Sequence, residues 1–447
     1  MAELADLARR IVGWGHEGEE VEAYLSWGRE TSIRVYEGEV EQLSSAESAG
    51  AGIRVVADGR QGFAYAGSLD EAELAAALAD ARDNASFATG DPYVGLPDPD
   101  GVPPVDVDLW RPELGAMPTA DKVAMAMELE ARIKAADPRI RQVEQANFGD
   151  SSRETAVASS AGIEAASRRS ACFLAAYAIA GDGDQSQSAG GYSVGRAPSD
   201  LDPDQVVRDA VERATRLLGA RQARSARLTV VLDPRVMTSL LGVVAAALSG
   251  DAVYKRRSFL ADRLGEEVAS PTVTLTDDPT DEAAYGASSH DAEGLACRRN
   301  EVVRAGALQA FVHDSYSGRR AGVSSTGSAM RGGFKTTPGP GCRAFQMVPG
   351  RLSPEELLAE VGEGFYVQSV SGVHSGTNPA SGDFSVGAEG LMIRGGALAE
   401  PVREVTIAST IPRMLQRVMA IGNDLTYLPG MASGLTLAIG DVSLSGA

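Results

Sequence analysis

The chain has 447 residues, 44% of them hydrophobic and 23% charged, with 50 glycines, 21 prolines and only 5% aromatics. That balance excludes wholesale disorder and calls for an Ala/Val/Leu/Ile core cut by many tight turns. The net charge is -20, and residues 1–110 alone hold 7 Lys+Arg against 22 Asp+Glu. Nucleic acid and anionic membrane surfaces are therefore excluded as general partners.

Residues 2–12 carry apolar positions at helical spacing and predict an amphipathic helix. Alternation predicts strands over 21–27 and 31–37, the second turning at Gly38 into 39–45. A hairpin from 51–56 to 62–66 is expected across Asp58-Gly59, a dipeptide suited to a two-residue turn. Helix 69–85 follows, with Ser68 or Asp70 as its cap. Asp91–Pro118 holds seven prolines and predicts an irregular linker. Next come helix 119–136, strands 140–147, 151–159, 162–168 and 170–180, a Gly/Ser/Asp loop over 181–199, and helix 203–218. In the last region a strand at 228–232 leads into an almost wholly apolar helix, 234–248, expected to be buried on most faces. Strands at 273–276, 307–313, 364–371, 384–394 and 402–408, helix 412–420 and strand 435–444 complete the chain. The fold class expected is α+β: two N-terminal α/β subdomains with antiparallel sheets, 1–110 and 111–224, followed by a β-rich C-terminal domain, 225–447.

Cys172, Cys297 and Cys342 lie far apart without a CxxC pair, which argues against a disulfide framework or zinc knuckle. The stretch 1–18 has no apolar core of a signal peptide and no window suits a membrane span, so the expected location is the cytoplasm.

Several short motifs fail on context. His16-Glu17 lacks the second His one turn on that a metal helix needs, since Glu20 and Val21 stand there. Gly191-Tyr192-Ser193-Val194-Gly195 matches G-x-S-x-G but not the strand–turn–helix setting that strains a nucleophile. His313-Asp314-Ser315 holds triad residue types, yet a triad is spatial and not sequential. Asp182 and Asp184 are at most a loose cation pair. The densest polar, turn-forming stretch is 374–384, placed between two predicted strands.

That stretch opens a resemblance. Ser375-Gly-Thr-Asn-Pro-Ala-Ser-Gly-Asp-Phe-Ser-Val-Gly-Ala-Glu-Gly390, then Ile393-Arg-Gly-Gly-Ala397 and Pro401-Val-Arg-Glu-Val-Thr-Ile407, resemble the C-terminal signature of the PmbA/TldE family, the "modulator of DNA gyrase" proteins. Asp291-Ala-Glu-Gly294, Val303-Arg-Ala-Gly-Ala-Leu308, residues 315–327, Leu248-Ser-Gly-Asp-Ala-Val-Tyr254, residues 258–265 and Gly422-Asn423-Asp424 agree with it. Val40-Glu-Gln42 and Gly50-Ala-Gly-Ile-Arg-Val55 extend it over nearly the whole chain. Arg394 departs from a usual Glu, and Ser409-Thr410 from a usual Gly-Asn.

The resemblance implies a cytoplasmic metallopeptidase assembly acting on small or unfolded peptides. Its TldD-like paralogue carries His-Glu-x-x-x-His and is expected to hold the zinc. Matching Gly250-Asp251 between the two places the lost metal positions at Leu241, Gly242 and Ala246, none of which can ligate zinc or serve as a general base. No cofactor, metal ligand or catalytic residue is therefore expected in this chain. The implied partner is the TldD-like paralogue, or a second copy in a homodimer, with a peptide as substrate. Expected lining of a peptide chamber is His313, Arg319, His374, Ser375, Asn378 and Asp383. Two alternatives stand beside this: a homodimeric peptide-binding scaffold without hydrolysis, and an independent enzyme built on His313, His374 and Asp314 or Asp383.

Overall fold

The computed structural model describes residues 1–447, the side chain of Asp184 excepted. It is an α+β protein in which antiparallel sheets dominate the N-terminal half and a barrel the C-terminal half.

Six strands form the first sheet: β1 (Glu20–Tyr36), β2 (Glu39–Ala57), β3 (Arg60–Ala66), β4 (Ile140–Ser159), β5 (Glu164–Ala180) and β6 (Gln187–Gly195), in the order β3-β2-β1-β4-β5-β6. Strands of 1–110 and of 111–224 thus share one sheet, joined where β1 pairs with β4. The breaks expected within β1, β2, β4 and β5 do not occur. Polar Gly28-Arg29-Glu30 stays extended because it is laddered on both sides, to Ala46–Ser48 of β2 and to Ser151–Arg153 of β4. Central-strand hydrogen bonding overrides a locally weak β pattern. Asp58 and Gly59 both have positive φ, 50° and 69°, and make the expected two-residue turn. Glu37-Gly38 turns in the same way.

The loop expected over 181–199 contains β6. Its glycines serve packing and not disorder: a Cβ on Gly191 would sit 2.1 Å from the Val206 carbonyl, so only glycine lets the helix beside it approach so closely. Asp182 forms a two-pronged pair with Arg141 at 3.0 and 3.1 Å, and the Asp184 half of the weak cation reading lies outside the described residues.

Helices cover the sheet in two groups. Helices α1 (Ala2–Val12) and α2 (Glu71–Phe87) bury Leu4, Leu7, Ile11, Leu74 and Leu78 against Val21, Leu25, Ile53 and Val55. Asp70 caps α2 by accepting from Ala72 N at 2.9 Å. Helices α3 (Pro112–Ala116), α4 (Thr119–Ala136) and α5 (Pro203–Thr215) bury Leu114, Leu129, Ile133 and Val206 against Ile33, Val35, Phe148 and Leu174. At about 25 cal/mol per Å² of apolar surface removed from water, each such fully buried Leu or Ile contributes about 1.5–3 kcal/mol.

The C-terminal half begins with β7 (Ala226–Leu232), α6 (Pro234–Leu248) and α7 (Gly250–Tyr254). Short strands β8 (Leu275–Asp277), β9 (Asn300–Arg304) and β10 (Ala307–Leu308) follow. Then come α8 (Ser315–Ala321), β11 (Ala329–Met330), β12 (Gly339–Pro340), β13 (Phe345–Met347) and α9 (Pro354–Val361). The chain ends with β14 (Gly364–Ser371), α10 (Val373–Gly376), β15 (Asp383–Arg394), β16 (Ala397–Thr410), α11 (Ile411–Gln416), β17 (Val418–Ile421) and β18 (Leu437–Ser445). The sheet order β16-β15-β14-β7-β18-β17, with an added β16–β18 pairing, closes five strands into a barrel and leaves β17 outside it. Alternation sorts the strand residues. Val230, Leu232, Phe365, Val367, Leu437 and Ile439 join α6 in one cluster, while Val231, Tyr366, Leu391, Ile393 and Ala438 pack with Leu217 and with Leu357 of α9.

Three local expectations are corrected. The strand expected over 307–313 shrinks to β10, because Gln309 N and Ala310 N both donate to the Val302 carbonyl, and the ladder ends where two residues oppose one. The helix expected over 412–420 stops at Gln416, since Val418 pairs with Ile439. Helices α8 and α9 are additions. The signal for α9 is a capping box, in which Ser353 accepts from Glu356 N and Glu356 accepts from Ser353 N.

Candidate functional site

Helix α6 is set by its first residues. Asp233 accepts from Arg235 N at 3.0 Å, and its other oxygen takes Arg213 Nη1 at 2.5 Å and Tyr366 Oη at 2.7 Å. Burial pushes the Asp233 carboxyl up, but Arg213 outweighs that and holds it below the usual range, so it is an anion across neutral pH. Nine of the helix's side chains are buried, as its composition predicts. Gly242 and Ala246, one turn apart, are exposed, whereas Leu241 is fully buried. The three positions that the resemblance matches to a metal motif therefore present a bare, small-residue surface and one core leucine, which supply no nitrogen, oxygen or sulfur donor from a side chain. Among the described residues, no group of three or more His, Cys, Asp or Glu is placed to hold a metal ion.

His313 lies beyond the end of that helix. It lines a cavity of about 560 Å³ whose walls include Val253, Tyr254, Leu264, Phe311 and Val323. Its Nδ1 shares a hydrogen bond with Ser317 Oγ at 3.2 Å, and burial holds its pKa below the ordinary value, so the ring is neutral at pH 7. Gly250 makes room for it: a Cβ there would lie 2.3 Å from Nδ1. Beside it Arg320 lies over the rings of Tyr254, Tyr93 and Tyr316, at 3.6, 4.9 and 5.5 Å, and bonds Asp91 at 3.1 Å. Arg319 faces elsewhere. Its guanidinium donates to the carbonyls of Tyr93 (2.7 Å), Gly95 (2.7 Å) and Leu96 (3.4 Å), and so pins the proline-rich linker to α8.

The 372–383 loop is largely exposed, with His374, Ser375, Asn378 and Asp383 at the surface. It is held by its own turns. Asn378 N donates to the Asp383 carbonyl at 3.0 Å, Ala380 N to Asn378 Oδ1 at 2.9 Å, and Ser381 Oγ to Asp383 Oδ2 at 2.6 Å. Phe259 N donates to the Pro379 carbonyl at 3.0 Å. The segment 250–264 therefore touches this loop through Phe259 and lines the His313 cavity through Val253, Tyr254 and Leu264. His374 and His313 do not share a cavity lining, and Asp383 is occupied with Ser381.

The weaker motifs resolve into structure. Asp314 caps α8 by accepting from Ser317 N at 2.8 Å, and Ser315 Oγ donates to Glu293 at 2.6 Å, so His313-Asp314-Ser315 is split among separate tasks. Ser193 sits on β6, where its Oγ accepts from Asp202 N at 2.9 Å. It is on a ladder and not on a strained elbow.

A buried charge cluster, unread in the sequence, joins the two halves. Arg54 Nη2 bonds Glu22 at 2.5 Å and Glu293 at 3.4 Å, and Arg331 pairs with Glu22 as well. Arg331 also lies 4.8 Å over the Tyr24 ring. Burial pushes the Glu22 carboxyl up, but the two arginines outweigh it and hold it below the usual range; for Glu293 burial wins and raises it. Nearby Asp291 is pushed up to about 7 by burial and by the Glu293 charge, against three backbone N–H donors. The Gly50-Ala-Gly-Ile-Arg-Val55 signature has its reason here. A Cβ on Gly50 would meet the Phe334 ring at 2.5 Å, one on Gly52 the Phe334 carbonyl at 2.4 Å, and Arg54 supplies the shared cation.

Family models described as PmbA/TldA metallopeptidase domain 1, central domain and C-terminal domain match residues 21–85, 112–218 and 225–446. The chain is 27% identical over 440 residues to metalloprotease PmbA of Escherichia coli O157:H7, covering 98% of this chain and 94% of that one. It is 24% identical over 415 residues to a metalloprotease TldD homolog of Haemophilus influenzae, covering 90% and 84%. The crystal structure of TldE from Thermococcus kodakarensis superposes with a TM-score of 0.90 over 100% of both chains at 22% identity, a likeness of fold. With its three domains matched in order and its fold shared end to end, the chain belongs to the PmbA/TldE family of the PmbA/TldD metallopeptidases.

Proposed function

We propose that this chain is the non-hydrolytic subunit of a cytoplasmic metallopeptidase complex that degrades or matures small or unfolded peptides. A TldD-like paralogue carries the zinc, and this chain forms part of the wall of the peptide chamber. The observation that supports it is helix α6: it is capped and packed, and at the positions that the resemblance matches to a metal motif stand Leu241, Gly242 and Ala246. Zinc needs deprotonated N, O or S donors in a tetrahedral set, and these residues do not fit it. The His313 cavity supports a binding role, with apolar walls and a few polar groups for fixing orientation. Among the described residues no helix is long and apolar enough to cross a membrane.

The test is reconstitution. The chain alone should leave an unfolded peptide intact, and a mixture with its His-Glu-x-x-x-His paralogue should cleave it. Deleting 372–383 should lower that cleavage while the complex persists. Cleavage by the chain alone, or no cleavage by any mixture, would overturn the proposal.

A further inference from the structure

The first sheet has an open edge. Strand β3 covers β2 only along Ala51–Ala57, so Glu39–Gly50 pairs with β1 on one side and, among the described residues, with no strand on the other. All residues from Glu39 to Ser48 are exposed on both faces. Every second residue of such an edge points its N–H and C=O outward, and an unprotected edge of this length is a template for another strand.

Two further features define what fits. Directly opposed residues of an antiparallel pair share a face. Ile33 opposes Leu43, and Val35 opposes Val40. Ile33 and Val35 are fully buried beneath α3 and α4, yet Val40 and Leu43 on the same face are 41% and 49% exposed. The apolar face thus runs past the helices that cover it. In addition, the stretch from Glu37 to Ile53 contains four glutamates and no Lys or Arg. A second copy is poorly matched: in whatever register its own stretch pairs, it brings four glutamates and no cation to an edge that is already acidic.

We infer that this edge docks an extended segment of a different polypeptide by strand addition. The segment alternates apolar residues, which cover Val40 and Leu43, with Lys or Arg, which meet Glu39 and the Glu41–Arg34 pair on the opposite face, while Glu47 shares the Leu43 face and accepts from Trp27 Nε1. Ten paired residues span about 34 Å. Backbone pairing supplies the contact and the alternation supplies the selection. This inference is independent of the peptidase reading and survives its failure.

The experiment uses the full chain and a fluorescent decapeptide of alternating Lys and Val, followed by anisotropy. Binding should weaken as salt is raised, and Leu43→Lys should weaken it at least about tenfold, a change of about 1.4 kcal/mol. Leu43 is half exposed, so an unchanged unfolding midpoint will show that the variant folds. Two N-methylated probes give the signature: methylating one alternate set of amides should abolish binding, and methylating the other should leave it intact. No binding, no effect of Leu43→Lys, or equal tolerance of both methylated probes would overturn the inference. A concentration-dependent dimer of the chain that Leu43→Lys dissociates would overturn it in favour of a second copy.

Discussion

Replacing Arg54 by Met tests how the two halves are held together. Met keeps the length and apolar stem of the side chain and removes the charge. Glu22 retains Arg331, but Glu293 loses the cation it pairs with and keeps the two hydrogen bonds from Ser315. Both carboxylates are fully buried. Removing one partner of a buried pair costs about 3–5 kcal/mol, because the remaining charge is left without compensation. The deficit depends on pH with a definite sign. The Glu293 pKa is already raised above its ordinary 4.5 by burial, and loss of Arg54 raises it further. A carboxyl with a raised folded pKa binds its proton more tightly in the folded state, so stability is lost as pH climbs from the unfolded value through the folded one. Arg54→Met should therefore be more damaging at about pH 8 than at about pH 5.5, and adding Glu293→Gln should restore part of the loss. Urea unfolding followed by tryptophan fluorescence is the assay, since Trp14, Trp27 and Trp110 all lie in the N-terminal half. A loss under about 1 kcal/mol, as for an exposed pair, would refute the buried-pair reasoning, as would equal losses at both pH values.

Gly52→Ala should destabilise by about 1–3 kcal/mol through overpacking, since its Cβ would stand 2.4 Å from the Phe334 carbonyl; a neutral effect in urea would show that the 334 segment yields freely. Arg319→Ala releases three backbone carbonyls of the linker and should speed proteolysis between Asp91 and Pro118 with little change in the unfolding midpoint. Asp291, with a folded pKa near 7, should make wild-type stability decline as pH rises from the ordinary carboxylate range toward 7; Asp291→Asn should flatten that slope, and an unchanged slope would assign it to other groups.

Fold class and element types were legible wherever a local rule dominated. Asp58-Gly59 makes its turn because both residues tolerate positive φ, and 234–248 is a helix because Asp233 caps it and Pro234 starts it. The strand lengths were not legible. Arg29-Glu30 reads as a break until it is laddered on both sides, which is a tertiary fact. Strand β6 was hidden because Gly190 and Gly191 read as loop formers, although they are there for the close approach of Tyr177 and Val206. At the site, the apolar character of helix 234–248 could be read from residue types alone, and nine of its side chains are buried. The Arg319 clamp and the Glu22–Arg54–Glu293–Arg331 cluster could not, since all of their pairs except Glu22–Arg54 join residues more than two hundred positions apart in the chain.

The central claim is that this chain supplies no zinc site to the peptidase complex proposed for it. The most direct test is metal content per chain of the purified protein after dialysis against a mild chelator. Less than roughly a tenth of an equivalent of zinc is the expected result, because a structural or catalytic site binds far too tightly to be stripped in that way. Close to one zinc per chain would contradict the claim and place a metal on donors outside the α6 slots.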